Sequence, residues 1–184
     1  MRNAIIVVAL AGLAAGLVGC GGGKLMYRVS AGAERDYVDS SGLTWKADQV
    51  WAEGKTWGAI GGLTVRRTAI KGVPGTKAPD VYLTERYSMT GYRFDVPNGT
   101  YTARLHFAET FDGVAKGTEV RVFAVKVQGK EVLKDLNIFK ETGQLAKPLI
   151  KTVSGAEVTD GKLMIEFVPG QQNPEINGIE ILQQ

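Results

Sequence analysis

Three stretches of this 184-residue chain place aromatic rings beside side chains that can form hydrogen bonds. A flat ring packs well against the apolar C–H face of a sugar, while neighbouring polar groups bond the sugar hydroxyls. Rings and polar groups in turn-rich segments therefore predict carbohydrate recognition. The candidates found this way are Trp57, Tyr82, Glu85, Tyr87, Phe111 and Asp112.

The alternative for each aromatic residue is a place in the hydrophobic core. For Trp45 and Trp51 we expect the core. For Trp57, which stands between Thr56 and Gly58, core packing and ligand contact stay equally open.

Catalytic chemistry finds less support in the sequence. Glu109 and Asp112 could form a catalytic carboxylate pair. Glycoside hydrolysis needs two carboxyl groups about 5–9.5 Å apart, and a spacing of three residues in a loop does not establish that distance. The sequence has no nucleophile elbow, phosphate-binding loop or metal-ligand spacing. We expect a protein that is not an enzyme and needs no cofactor.

Metal binding is also weakly supported. The single histidine, His106, and the single cysteine, Cys20, leave no usual zinc or haem ligand set. A structural calcium ion on aspartates stays open, although their spacing gives no direct support. The aspartates in question are Asp39, Asp48, Asp80 and Asp160.

Two polar segments have structural alternatives. Glu85 and Arg86 are adjacent and are expected to form a structural ion pair near a strand end, with ligand contact as the alternative for both. His106 lies within an alternating strand, so a hydrogen-bonded structural histidine is expected there.

The N-terminus carries a different chemistry. One basic residue, Arg2, precedes an apolar run from Ala4 to Val18, which is too short and wrongly flanked for a stable membrane helix. The run ends in Leu-Val-Gly-Cys and resembles the lipobox of bacterial lipoprotein signal peptides. That resemblance implies a signal peptide at 1–19 and lipid on Cys20; the alternative is a plain secretory signal with an incidental cysteine.

The lipobox resemblance also implies a location. The processed chain would begin at Cys20 with a flexible glycine-rich tether at 20–24, followed by one domain at 25–184. It would be exported and lipid-anchored to the bacterial cell envelope, at the outer membrane if one is present. The formal charge is +3 with both signs interspersed, so we expect no nucleic acid partner.

Period-two alternation dominates this domain and predicts an all-β sandwich of the jelly-roll type. Turn residues separate the alternating runs, and 48–75, rich in glycine and without a clean period, is expected to be a long loop. One short helical turn is expected at 137–141. The clearest strands are expected at 101–108, 119–127, 162–168 and 177–182.

The order of several motifs resembles malectin and the malectin-like carbohydrate-binding domains. The resemblance covers about Tyr27 to Leu182. Its motifs include Tyr-Arg-Val-Ser-Ala-Gly at 27–32, Tyr-Leu-Thr-Glu-Arg-Tyr at 82–87, Leu-His-Phe-Ala-Glu at 105–109 and Asn-Pro-Glu-Ile-Asn-Gly-Ile-Glu-Ile at 173–181.

This resemblance implies a jelly-roll-like sandwich, similar to galactose-binding folds, that holds sugars with loop residues at one end. Tyr87 matches a family binding tyrosine, and an earlier loop tyrosine falls near Trp57. The family's Tyr-Phe pair becomes Phe111-Asp112, and its late aspartate becomes Gln172. The resemblance therefore implies a surviving binding end with an altered ligand.

The sequence leaves two main functions open. The first is a non-catalytic, lectin-type module that binds an oligosaccharide or polysaccharide and delivers it to a separate glycoside hydrolase, or senses it. The second is an envelope scaffold that binds a protein partner with the same fold. A glycoside-processing enzyme is a minor third possibility.

Overall fold

The computed structural model describes residues 23–184, so the predictions about the signal peptide and Cys20 lie outside the described residues. This part contains twelve strands, two short α-helices and one 3₁₀ helix at Pro79–Leu83. The strands and α-helices follow one another in chain order. They are β1 (Lys24–Ser30), β2 (Tyr37–Val38), β3 (Thr44–Trp45), β4 (Trp57–Arg66), β5 (Thr84–Asp95), β6 (Gly99–Phe107), α1 (Asp112–Ala115), β7 (Val122–Val127), β8 (Lys130–Leu136), α2 (Ile138–Thr142), β9 (Leu149–Val158), β10 (Lys162–Gln171), β11 (Glu175–Ile176) and β12 (Gly178–Gln183).

Two antiparallel sheets form the sandwich. The smaller sheet has the strand order β1-β12-β6-β9. In the larger sheet β8, β7, β10 and β5 lie side by side, and β5 also pairs with β4 and β11. The predicted all-β sandwich is confirmed, since the strands lie in two antiparallel sheets with the core between them.

The core fills the space between the sheets. Alternate residues of the facing strands are fully buried there, and each such side chain contributes about 1.5–3 kcal/mol by leaving water. A second apolar cluster, formed by Trp45, Val81 and Tyr82 with two alanines, lies apart from this core. The largest buried core side chains include Tyr92, Phe94, Tyr101, Phe107, Phe123, Leu105, Leu163 and Ile165.

The prediction of a long loop at 48–75 is wrong for the middle of that segment. Ten of its residues form β4, which pairs along nearly its whole length with β5. A bulge between Ile60 and Gly61 breaks the alternation that would have revealed the strand. Gly62 has φ +86°, and a Cβ there would lie 2.8 Å from the Tyr87 carbonyl oxygen. Glycine is thus required by the strand itself and is not the mark of a loop.

Turn and capping residues set the ends of two elements. The Gln128-Gly129 turn joins β7 to β8, with both residues at positive φ, as a tight hairpin requires. The expected helical turn at 137–141 is α2, with the Asn137 side chain accepting a hydrogen bond from the Lys140 amide. Within residues 23–184 the helices have only four or five residues, and none is long and apolar enough to cross a membrane.

Candidate functional site

A pocket of about 260 Å³ opens where β4 and β5 meet the loops that follow β6 and β10. It combines two rings, two guanidinium groups, a carboxylate and two amides. Its lining residues are Val65, Arg67, Glu85, Tyr87, Phe111, Arg121, Gln172 and Asn173.

The pairing of three strands puts the pocket side chains on one face. Glu85 lies opposite Val65, and Tyr87 lies between Leu63 on β4 and Glu175 on β11. Directly paired residues project to the same side of a sheet, and positions two apart along a strand share that side. The β4–β5 pair therefore presents Glu85 and Tyr87 together.

One half of the pocket floor is an ion pair between β5 and the residue after β4. The Nη2 group of Arg67 donates to Glu85 Oε1 at 2.7 Å, and its Nε donates to the Thr110 hydroxyl at 3.1 Å. Thr110 in turn donates to the second Glu85 oxygen. Both oxygens of this buried carboxylate are thus occupied within the protein.

The other half of the floor is held by Arg121. Its Nε donates to Glu109 Oε2 at 2.8 Å, and its Nη1 donates to the Asn173 carbonyl oxygen. Burial would lower the pKa of Arg121, but Glu175 and Glu109 raise it above its usual value. Arg121 therefore stays charged and ties the loop after β10 to the loop after β6.

Glu175 lies next to these pairs without one of its own. It is fully buried, and neither carboxylate oxygen has a hydrogen-bond partner among residues 23–184. Burial raises its pKa well above the ordinary glutamate value, and the nearby carboxylates of Glu85 and Glu109 raise it further. The charged cluster at the pocket floor and beside it thus has three carboxyl groups and two guanidinium groups, of which Glu85, Arg67 and Arg121 line the pocket.

The rim of the pocket is more exposed. Phe111 has 36% of its surface exposed, and the exposed Gln172 donates from its amide to Glu119. Gln172 has φ +57°, a conformation that side-chain-bearing residues adopt rarely. This rim can supply one ring face and one amide to a bound molecule.

Four of the seven predicted site residues come together at this pocket: Glu85, Tyr87, Phe111 and Gln172. Their contact with a ligand stays a prediction. The structure does not bring the other three, Trp57, Tyr82 and Asp112, into the pocket lining.

Trp57 lies at the far end of the same strand pair. It is opposite Phe94, seven residues along β5 from Tyr87, which corresponds to about 23 Å. Its ring is stacked on Phe94 with 6.1 Å between centroids. Trp57 is therefore a half-buried packing residue in this structure, because β4 is a strand and carries it away from the pocket.

Tyr82 is buried in the second apolar cluster. Its hydroxyl lies 2.7 Å from Nδ1 of His106, which agrees with the structural role expected for that histidine. Asp112 begins α1 and is exposed, with its carboxylate paired to Lys116 one turn later. Neither residue faces the pocket.

The expected Glu85–Arg86 ion pair is wrong, and the possible Glu109–Asp112 pair does not form. Glu85 and Arg86 project to opposite faces of β5, so Glu85 pairs with Arg67 while Arg86 pairs with Asp48 at 2.7 Å. Glu109 is buried on Arg121, whereas Asp112 is exposed, so these two do not form a catalytic pair.

Of the tryptophans expected in the core, Trp45 is buried and donates to Asp39, which confirms the prediction. Trp51 is only half-buried, with the guanidinium of Arg93 4.4 Å above its ring, and lies outside both apolar clusters. Within residues 23–184 no three acidic, histidine or cysteine side chains are placed to hold a metal ion.

Sequence reasoning missed three residues that line the pocket, Arg67, Arg121 and Asn173. It also missed Glu175, which is paired with Tyr87 beside the pocket. Arg67 was hidden in the supposed loop at 48–75. Glu175 and Asn173 stand in the quoted Asn-Pro-Glu motif, which was the available signal. A larger cavity of about 440 Å³, on the Thr64 and Arg66 side of the β4–β5 pair, includes none of the predicted site residues.

The family model for the malectin domain matches residues 25–180. The chain belongs to the malectin family. This domain is a carbohydrate-binding module in the family at large.

Malectin-B of Xenopus laevis is 28% identical over 175 residues, covering 87% of this chain and 60% of that protein. Human malectin is 28% identical over 187 residues, covering 91% of this chain and 61% of that protein. The chain thus spans about three fifths of the length of these relatives.

Solved structures show the same fold. A region of a Bacteroides uniformis beta-glucuronidase superposes with a TM-score of 0.76 at 28% identity, covering 86% of this chain but 18% of the enzyme. The extracellular domain of Arabidopsis thaliana ANXUR1 superposes with a TM-score of 0.67 at 21% identity, covering 86% of this chain. That second likeness shows the fold alone.

Proposed function

We propose that this malectin domain binds an oligosaccharide or polysaccharide, without catalysing a reaction, in the pocket between Tyr87 and Phe111. The observation that carries the proposal is the meeting of these two rings with Gln172 and Asn173 above a floor of bonded charges. A ring supplies the face on which a sugar stacks, and the amides supply both donors and acceptors for hydroxyl groups.

The chemistry of the floor supports binding over hydrolysis. A glycosidase needs one carboxyl group that gives a proton and another that acts as base or nucleophile across the sugar. Here both Glu85 oxygens are bonded to Arg67 and Thr110, and Glu109 is bonded to Arg121. Glu85 and Glu109 therefore position arginines and are not free for proton transfer.

The expected affinity is modest. A pocket of this size holds about one or two sugar units, and a sugar must displace well-bound water from a polar surface. We expect dissociation constants in the micromolar to millimolar range, about 4–8 kcal/mol of binding free energy.

The same proposal includes export and anchoring. The lipobox-like end at Cys20 supports a chain that is lipid-anchored to the bacterial cell envelope and binds a glycan there. The likeness to part of a beta-glucuronidase supports cooperation with a separate glycoside hydrolase. Mass spectrometry of the purified protein tests the anchor: a diacylglycerol-bearing N-terminal Cys20 is expected, and an unmodified chain would rule it out.

A titration followed by NMR tests the binding. The isotope-labelled chain, with Cys20→Ser to prevent lipidation, is titrated with maltose and cellobiose as α- and β-linked glucose probes, and then with a wider oligosaccharide panel. Saturable shifts at Tyr87, Phe111 and Gln172 are expected, with none at Trp57. A folded protein with no response to any sugar would overturn the proposal.

A protein partner is the second candidate. Leu63 is 60% exposed on the edge strand β4 and lies directly beside Tyr87, so an apolar strip continues the pocket. Envelope proteins that co-purify with the tethered chain and are lost with Leu63→Ser, in the absence of sugar binding, would favour this candidate.

A further inference from the structure

Glu175 is the most unusual ionisable group in the described part of the chain. It is fully buried, both of its oxygens lack a hydrogen-bond partner there, and it forms no ion pair within residues 23–184. An ionised carboxylate in such a place costs several kcal/mol, and natural proteins rarely keep one without a reason.

Charged side chains reach Glu175 from four neighbouring segments, together with the uncharged ring of Tyr87. Glu85 and Tyr87 face it from β5, Glu109 from the loop after β6, Arg121 from the segment before β7 and Arg67 from the residue after β4. Each arginine is already bonded to another glutamate. The cluster therefore has one more carboxyl group than it has cations.

Glu175 is also linked to the pocket rim. It directly follows Pro174, and the Asn173 carbonyl accepts a hydrogen bond from Arg121. Its cross-strand partner on β5 is Tyr87, the aromatic wall of the pocket. A change in charge at Glu175 thus acts on both sides of the pocket at once.

We propose that Glu175 is a positioning residue of the sugar pocket. As a neutral acid, Glu175 leaves Arg121 bonded to Glu109 and to the Asn173 carbonyl oxygen. As a carboxylate, it draws Arg121 away from these partners and releases the rim. The inference rests on the proposed sugar binding at this pocket. On ionisation the proton passes from the Glu175 carboxyl to solvent, and the new charge is repelled by Glu85 and Glu109. Of the two arginines, Arg121 acts more strongly on the Glu175 carboxyl, and it responds at the expense of the Asn173 contact.

The proposal gives the pocket a pH dependence with a definite sign. The neutral form holds Gln172 and Asn173 in place, and burial favours that form at and above the pH where an ordinary glutamate ionises. Sugar affinity is therefore expected to be highest on the acidic side and to weaken as pH rises. The loss reaches about tenfold per pH unit above the midpoint of the Glu175 titration if only the neutral form binds.

The test compares Glu175→Gln with the wild type in the Cys20→Ser chain. Dissociation constants for the best-binding probe from the maltose and cellobiose panel are measured from pH 5 to 9. The amide mimics the neutral acid, so Glu175→Gln is expected to keep the low-pH affinity across the range. Glu157→Gln, which removes an exposed carboxylate on β9, is the matched control and keeps the wild-type profile. A wild-type profile in Glu175→Gln would overturn the proposal.

A second measurement needs no sugar. The carbon shift of the Glu175 carboxyl and the amide shifts of Gln172 and Asn173 are followed against pH in the unliganded protein. A common midpoint in the wild type, with the amide changes absent in Glu175→Gln, supports the inference even where no sugar binds. Rim amides that stay still while Glu175 titrates, or a Glu175 that never titrates up to pH 10, would overturn it. Sugar binding that is independent of pH would leave the proposed function standing alone.

Discussion

Two buried glutamates, five residues apart, end in opposite electrostatic surroundings. Glu180, on β12, belongs to a sheet cluster with Arg28, Arg104 and His106. Arg28 and Arg104 are its direct neighbours on β1 and β6, and Nε of Arg28 lies 2.6 Å from its carboxylate. Glu175, on β11, belongs to the pocket-floor cluster of three glutamates and two arginines.

The contrast separates structure from function. In the sheet cluster the one buried carboxylate, Glu180, lies within ion-pair distance of Arg28 and Arg104, and Trp45 and Tyr82 cover the group from outside. A carboxylate paired in this way stabilises one conformation. In the pocket-floor cluster one carboxyl group has no partner, and groups of this kind concentrate at binding sites. The same chain thus uses one buried glutamate for stability and the other for response.

The largest expected effect is the loss of Glu180. Glu180→Ala leaves the half-buried Arg28 and the buried His106 without their anion, and breaking a buried pair from one side costs about 3–5 kcal/mol of unfolding free energy. Urea unfolding at pH 7 measures it. The comparison variant, Glu175→Gln, removes no partner and is expected to cost less than about 1 kcal/mol. Equal losses in the two variants would contradict the distinction between the clusters.

Glu180 is expected to account for the loss of folding stability at acidic pH. Burial alone would raise its pKa, but His106 and Arg28 lower it to about 2, against 4.5 when exposed. Its contribution is therefore fully present above pH 4.5 and is lost as pH falls toward 2. The difference corresponds to about 3 kcal/mol, measured as the unfolding free energy against pH. Glu180→Gln should reduce this loss of unfolding free energy at acidic pH. An unchanged dependence of the unfolding free energy on pH would contradict the assignment.

Glu175 should contribute with the opposite sign. Its pKa is raised in the folded protein by burial and by Glu85 and Glu109, so the unfolded chain loses this proton first as pH rises. Stability is therefore expected to fall as pH rises above about 4.5, up to the folded pKa. In the same unfolding series, Glu175→Gln should not show this decline. It should still lose stability at acidic pH as the wild type does.

The sequence predicts the scaffold of both clusters better than their charges. Alternation at 101–108 and 177–182 gives β6 and β12, which place Arg104 beside Glu180. It fails for β4, since the bulge at Gly61 interrupts its period and its pairing partner, β5, begins only at Thr84, beyond a long connection. Arg67, placed by that strand, was lost with it.

Ion-pair partners are less predictable still. The adjacent residues Glu85 and Arg86 suggest a pair, yet alternation sends them to opposite faces, where distant residues supply their partners. Similarly, Glu175 has no sequence feature that distinguishes its isolation from the pairing of Glu180. Burial of a charge depends on contacts across both sheets, which local patterns do not contain.

An aromatic substitution at the pocket should affect binding and not folding. Tyr87→Ala removes a half-buried ring from the pocket wall, and we expect at least tenfold weaker sugar binding, or about 1.4 kcal/mol. Trp57→Ala is the matched control, because its ring packs on Phe94 far from the pocket. That variant should lower the melting temperature and keep the affinity, as read by calorimetry. Weaker binding in Trp57→Ala alone would move the site to the other end of β4.

The smallest expected effect comes from Tyr82, a predicted site residue that the structure places beside the sheet cluster. Tyr82→Phe keeps the ring and removes the hydroxyl bonded to His106, so about 1 kcal/mol of stability is expected to be lost. Its sugar affinity should equal that of the wild type, because the hydroxyl is buried away from the pocket. Urea unfolding and a maltose or cellobiose titration on the same sample give both quantities. A Tyr82→Phe protein with wild-type stability and weakened sugar binding would place Tyr82 with the pocket and remove the separation between the two clusters.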